Sequence, residues 1–315
     1  MEINLVTLTR SMLALLIALS GLAVATTASA GKRPEYDILA SSASKPVPAN
    51  LKAQSAQFIR PGSALHVHER FGVPTFLWAS SQGSAAGLTA LRAKLSGGVA
   101  SASGAAPALT PEAAARAHMG TYASLYRATD ADVSNLTVAH VHDVGRGPVI
   151  VQFKQVISGV EVFREEARVV MTRDLDLVSI AGYISSTEGS SFAAQRPFSS
   201  ANAVAAAFSD LSGQVLGAAA FNSLGAAEGG YESVTLAVSG IDGAPTQPAR
   251  IKPVLFHSTD GLQSAWYIEV DSANANGNAP DYYSYVVSAV DGSILCRHDL
   301  TAYDLARDFT YRVYA

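Results

Sequence analysis

From Val149 to Tyr183 the chain reads with a period of two. Val149, Val151 and Phe153 are offset by one from Ile150, Gln152 and Lys154, the pattern of a half-buried strand. The phase slips near Gln155, ahead of a turn at Ser158-Gly159, and resumes with Val160 and Val162. Ala167, Val169 and Met171 alternate with Arg168 and Val170, and the charged turn Arg173–Asp176 leads into Leu177–Tyr183. Such an antiparallel meander has one apolar face that needs a cover and one that can meet water. No constellation of titratable residues marks it, so it reads as a scaffold or docking surface. Glu165-Glu166 are adjacent, which on a strand sends them to opposite faces, and they read as a solvated strand end or bulge.

Upstream, Thr110 is a helix N-cap, Pro111 suits the first helical position and Glu112 complements the helix dipole. Ala114, Ala117, Tyr122 and Leu125 then share a face as far as Tyr126, and Asp130-Ala131-Asp132 ends the helix. Val138–His142 is a short strand. The second half repeats this order. Ser199 or Ser200 caps a helix carrying Val204, Ala205, Phe208 and Leu211, and Gly213 stops it. Strands follow at Ser233–Val238, Arg250–His257, Ala265–Asp271, Tyr283–Ala289 and Ile294–His298, the last two joined by the hairpin signal Asp291-Gly292. Helix then meander, twice over, predicts an α+β fold of two modules, each a helix packed on an antiparallel β-meander.

Length changes this picture little: 315 residues fit two domains. The 22 basic residues nearly balance 26 acidic ones, without a basic stripe, so nucleic acid is not an expected partner. The N-terminus adds more. Arg10, the apolar run Met12–Val24 and the small-residue site Ala28-Ser29-Ala30 form the three-part pattern of a secretory signal, predicting export and no membrane anchor after cleavage. Residues 31–109 then read as an extended arm and an Ala/Ser/Gly-rich linker, with one short helix near Leu88–Leu95. Between them Arg70–Trp78 is an aromatic run in which Pro74 argues for an edge strand or a pinned segment. The modules span 110–190 and 191–300, and 301–315 is a terminal segment.

Candidate chemistry is sparse. His66/His68 and His140/His142 each place two imidazoles on one face of a strand, a spacing that binds metal only if further ligands converge. Without a third ligand they read as polar, solvent-facing histidines, and no metal site is assigned. Cys296, the sole cysteine, lies in a strand beside His298 and reads as structural, since a catalytic thiol needs a polarising partner. No Gly-x-Ser-x-Gly elbow, phosphate loop or His-Glu-x-x-His occurs, so no catalytic or cofactor-binding residue is assigned.

The segment Gln152–Phe163, with its strand, Gly-Val-x-Val-Phe turn and following strand, resembles the fungalysin/thermolysin propeptide motif. Ala265–Val270 and Tyr285–Leu295 resemble the PepSY-type, cystatin-like module that follows it in such precursors. Arg70–Trp78 and the ending Asp299–Thr301…Phe309–Tyr314 are similar to the bacterial branch of the same secreted zinc metallopeptidases. The resemblance runs from about Arg70 to the end and rests on scaffold residues. It implies a non-catalytic propeptide that acts as intramolecular chaperone and inhibitor. The implied partner is a metallopeptidase catalytic domain, met in cis after 301–315 hands over to it, or in trans if the chain is a stand-alone exported inhibitor. Zinc is then expected only in that catalytic domain, and no cofactor in this chain.

Overall fold

The computed structural model describes residues 33–44, 56–97, 109–187, 196–273 and 280–301. The expected signal at 1–30 and nearly all of the terminal segment 301–315 lie outside these. The first half comprises β1 (Tyr36–Asp37), β2 (His66–Val67), β3 (Pro74–Trp78), α1 (Ser81–Gly97), α2 (Pro111–Tyr122), α3 (Asp130–Ser134), β4 (Leu136–His142), β5 (Val149–Ile157), β6 (Val160–Met171) and β7 (Leu177–Gly182). The second comprises α4 (Ser200–Ser212), β8 (Phe221–Ala226), β9 (Glu232–Leu236), β10 (Ala249–Ser258), β11 (Gly261–Ser272), β12 (Asp281–Ser288) and β13 (Ile294–Asp299). The fold is α+β, with helices on antiparallel meanders in both halves, as the periodicity predicts.

The first half has strand order β2-β3-β7-β6-β5-β4. Helix α2 begins as expected, the Thr110 hydroxyl accepting from the Ala113 amide at 3.2 Å ahead of Pro111. Its buried face of Ala114, Ala115, Met119 and Tyr122 covers Val151, Phe153, Val169 and Ile180 of the sheet. Asp130–Asp132 does not merely end this helix. It opens α3, with Asp132 as the reciprocal partner in a capping box on Thr129.

The short helix expected near Leu88–Leu95 is present and longer than expected: α1 spans Ser81–Gly97, taking up much of what reads as linker, and packs on α2. Its small residues look like linker composition but serve close packing. A Cβ at Gly83 would lie 2.1 Å from the Tyr122 hydroxyl, and one at Gly87 would lie 2.4 Å from His118 Nδ1. Low apolar content hid the first turns of the helix, because contact there is made through missing side chains. The Tyr122 hydroxyl also donates to the Phe58 carbonyl at 2.7 Å, tying the segment before α1 to α2.

Strand β5 alternates between buried and half-buried throughout, so the expected phase slip at Gln155 does not occur. Gln155 points inward like Phe153 and Ile157, and is fully buried. The slip falls on the partner strand. Arg164 in β6 adopts a left-handed backbone (φ 58°), and the β5–β6 register shifts between Lys154 and Val156.

In the second half the order is β8-β9-β10-β11-β12-β13-β1. The Ser199 hydroxyl caps α4 and left-handed Gly213 ends it. Strand β8 lacks an apolar period and escaped the sequence reading; only Phe221 of its six residues is buried. Strand β12 is buried on both faces from Tyr283 to Ser288. Tyr283, Tyr285 and Val287 lie under α4 with Val204 and Phe208. Val286 turns the other way, into a cluster with Val254, Phe256, Leu295 and Cys296.

That second cluster is covered by the N-terminal arm. Tyr36–Asp37 pairs with β13, and Ile38 and Leu39 follow in a 3-10 turn packed on the cluster. Leu39 also packs on the core of the first half. The Arg70 guanidinium holds the arm from the other side, donating to the carbonyls of Ala40 and Ser42. The Arg70–Trp78 run is therefore pinned as expected, with Pro74 at the start of a strand between β7 and two-residue β2.

The two meanders meet where two long strands exchange partners. β10 pairs β9 over Ala249–Ile251 and β6, in parallel, at Leu255 opposite Val162. Pro253 sits in the fork between these pairings, where a strand loses least by lacking an N–H.

Candidate functional site

Just past the crossing, both halves contribute to one buried polar cluster. The β6 bulge sets the phase that turns Glu165 inward, and its carboxylate accepts from Ser185 Oγ at 2.8 and 2.7 Å. His257 of β10 brings Nδ1 to 2.6 Å from both Glu165 Oε1 and Ser185 Oγ. Gln155 fixes the serine backbone, donating to the Ser185 carbonyl at 2.7 Å and accepting from its amide at 2.8 Å. Glu165 is therefore neither solvated nor at a strand end. The meander that looked free of titratable groups carries one at its centre.

Serine, histidine and carboxylate together suggest a hydrolytic relay, but the geometry is different. A relay needs the hydroxyl on one ring nitrogen and the carboxylate on the other. Here both meet Nδ1, and Ser185 is 1% exposed. The cluster is a clasp between the halves. Its outer wall is aromatic: the Phe71 ring stacks on His257 at 3.8 Å and 4°, and His68 stacks on Phe71 at 4.3 Å. Burial, and then the neighbouring His257, hold His68 below the ordinary imidazole value.

Two clefts flank the clasp. One, of about 400 Å³, opens at the fork between Lys154, Glu161, Tyr231 and Lys252. Its charges are largely matched, since Lys154 and Lys252 lie 2.9 and 3.1 Å from the Glu161 carboxylate. Burial alone would raise Glu161, but the two lysine hydrogen bonds outweigh it and hold the carboxyl below its usual range. The other cleft, of about 340 Å³, is lined by His257, Tyr126, Arg127 and Asp260 over Phe71, Val73 and Ile184.

The other sequence candidates are placed apart. His140 and His142 are exposed on the regular stretch of β4 that follows the register shift between Val138 and His140. His66 is exposed on β2, while His68 belongs to the aromatic wall. Among the described residues no three His, Cys, Asp or Glu side chains are grouped to hold a metal. Cys296 is buried, and burial pushes its thiol up to about 11. His298 serves Glu35 of the arm at 2.6 Å rather than the thiol.

Sequence reasoning missed Ser185 and His257 altogether; for Glu165 the bulge it allowed is present beside it, but the side chain is buried rather than solvated. Their one local signal was Gln155, a polar residue at a buried phase of a clean alternation. Among the described residues no helix is long and apolar enough to cross a membrane.

No protein-family description matches the chain, and no curated protein is matched. Among solved structures it is similar to the Bacillus megaterium YpeB C-terminal domain, at 9% identity and a TM-score of 0.24. That match covers 78% of this chain and 81% of the other, and at such a score it carries no functional argument.

Proposed function

We propose that the chain is an exported binding scaffold that acts as chaperone and inhibitor of a fungalysin-like zinc metallopeptidase, in cis as a propeptide. The observation that supports this reading is strand β8. Among the described residues β8 pairs only with β9, so its other edge is open, and Asn222–Ala226 are all exposed. Leu224 stands out at 59% exposure, beside the register shift between Ser223 and Gly225. An open edge can add a strand to an extended binding groove, with main-chain hydrogen bonds for affinity and one apolar side chain for a pocket. The bulge and short length keep such an edge from pairing with its own copies. A scaffold that binds the native peptidase stabilises it by mass action.

The test is a protease assay with the purified chain and a fungalysin-like metallopeptidase catalytic domain. Proteolysis slows and refolding yield rises with the wild-type chain, and both effects are lost in Leu224→Lys. If neither quantity moves with the wild-type chain, the reading is wrong. The alternative, an inhibitor acting in trans, is favoured by inhibition of the mature enzyme without any gain in refolding yield.

A further inference from the structure

Strand β4 is the outer strand of the first sheet. Among the described residues it pairs only with β5, so its other edge is open. Val138 and Val141 pack on the core, while beyond the shift at Ala139 His140 and His142 stand on the outer face, across from Gln152 and Ile150. Both imidazoles are exposed, and among the described residues neither makes a hydrogen bond or an ion pair. Alternate residues of a strand share one face at about 7 Å, a separation from which two imidazoles can reach one ion. Within the chain the ligand set stops at these two. Gln152 and Ile150 offer no imidazole, thiolate or carboxylate, and the adjacent Asp143 is already held by Arg173 and by the Gly145 amide at 2.9 Å. A closed zinc site takes four ligands.

We propose that His140 and His142 form one half of a zinc site, which a second copy of this chain completes. The two β4 edges meet antiparallel. A two-fold axis at Val141 sets His140 of each copy opposite His142 of the other, the self-complementary contact of a symmetric dimer. Cross-strand neighbours on one face have Cβ atoms roughly 4.5–5.5 Å apart, which gathers four imidazoles around one point. Four ring nitrogens suit Zn²⁺ and do not suit Mg²⁺, which takes oxygen. The ion is needed because the edge alone is poor. The shift at Ala139 leaves only His140–His142 in regular register beyond it, too short a ladder to join two chains by main-chain hydrogen bonds. Val144, two residues further on and 61% exposed, adds apolar area beside the site. The site is separate from the β8 edge and independent of the peptidase reading.

The molar mass of the whole chain is measured by light scattering on a sizing column, without metal, with zinc at one ion for two chains, and with magnesium. Zinc doubles the mass, a chelator reverses the change, and magnesium has no effect. His140→Ala and His142→Ala each abolish the doubling, and both melt like the wild-type chain without metal, because the side chains removed are exposed. His66→Ala, on the strand at the other edge of the sheet, keeps the doubling. Zinc that leaves the mass unchanged overturns the proposal, whether or not the ion binds. So does growth beyond a dimer, or a mass already doubled without metal. A doubling that survives either β4 variant, or that fails in His66→Ala, assigns the ion to other residues and overturns it as well.

Discussion

Strands β5 and β12 occupy comparable places in the two halves and are buried in different ways. β5 alternates buried and half-buried along its length, whereas β12 is buried without interruption from Tyr283 to Ser288. A sheet with one covered face needs only its helices, and α1 and α2 provide that cover in the first half. The second sheet has α4 on one face and, among the described residues, the short arm on the other. The first half is thus stabilised by close helix packing next to it in sequence. The second depends on a segment from the opposite end of the chain, and the clasp at His257 joins the two.

The comparison breaks most severely at the clasp. His257→Leu takes the imidazole from the buried Glu165 carboxylate and leaves Ser185 as its remaining partner in the clasp, an effect of about 3 kcal/mol. Chemical denaturation is expected to lose its single transition, the halves unfolding separately. One unshifted transition would show that the clasp does not couple them. Next in size, Gly83→Ala forces a methyl group against the Tyr122 hydroxyl and destabilises by about 2 kcal/mol. The additional variant Tyr122→Phe relieves the clash and recovers part of that loss, which a pure helix-propensity effect would not do.

Leu39→Ala sharpens the comparison from the other side, at about 1–2 kcal/mol. Its more telling readout is Cys296, whose labelling by a thiol reagent is expected to accelerate as the arm loosens; unchanged labelling would separate the arm from the cover it is taken to provide. The smallest effect is one of pH. Burial lowers His118 from its ordinary value of 6.5, so the native state holds the ring neutral while the unfolded chain protonates it more readily. Its contribution is complete above pH 6.5 and is lost as pH falls toward the depressed native value. Burial lowers His68 in the same direction, so His118→Gln is expected to flatten the decline between pH 7 and 5 only in part.

Much of this architecture is legible in the sequence because it is local. Thr110-Pro111-Glu112, Ser199 with Gly213, and Asp291-Gly292 act within a few residues and form as their chemistry dictates. Helix α1 was legible only near Leu88–Leu95, because the packing of its first turns uses glycine, which periodicity scores as nothing. β8 was hidden because an exposed edge has no face to pattern. The clasp was hidden for a different reason: Glu165, Ser185 and His257 are each unremarkable locally, and only the exchange of partners between β6 and β10 brings them together.

The arm also constrains the order of assembly. Tyr36 pairs with Arg297, and the Tyr283 hydroxyl closes on the backbone of Arg33 at 3.0 Å. These residues are made long before their partners, which are among the last described residues to emerge. Through almost all of synthesis Ile38 and Leu39 therefore lack their cover, and so does the face of β12 and β13 that will receive them. Contacts between such distant segments form slowly, because a long loop must close before they gain anything. Placing the arm is accordingly the expected slow step of folding, and the interval before it is when the chain is most exposed to aggregation.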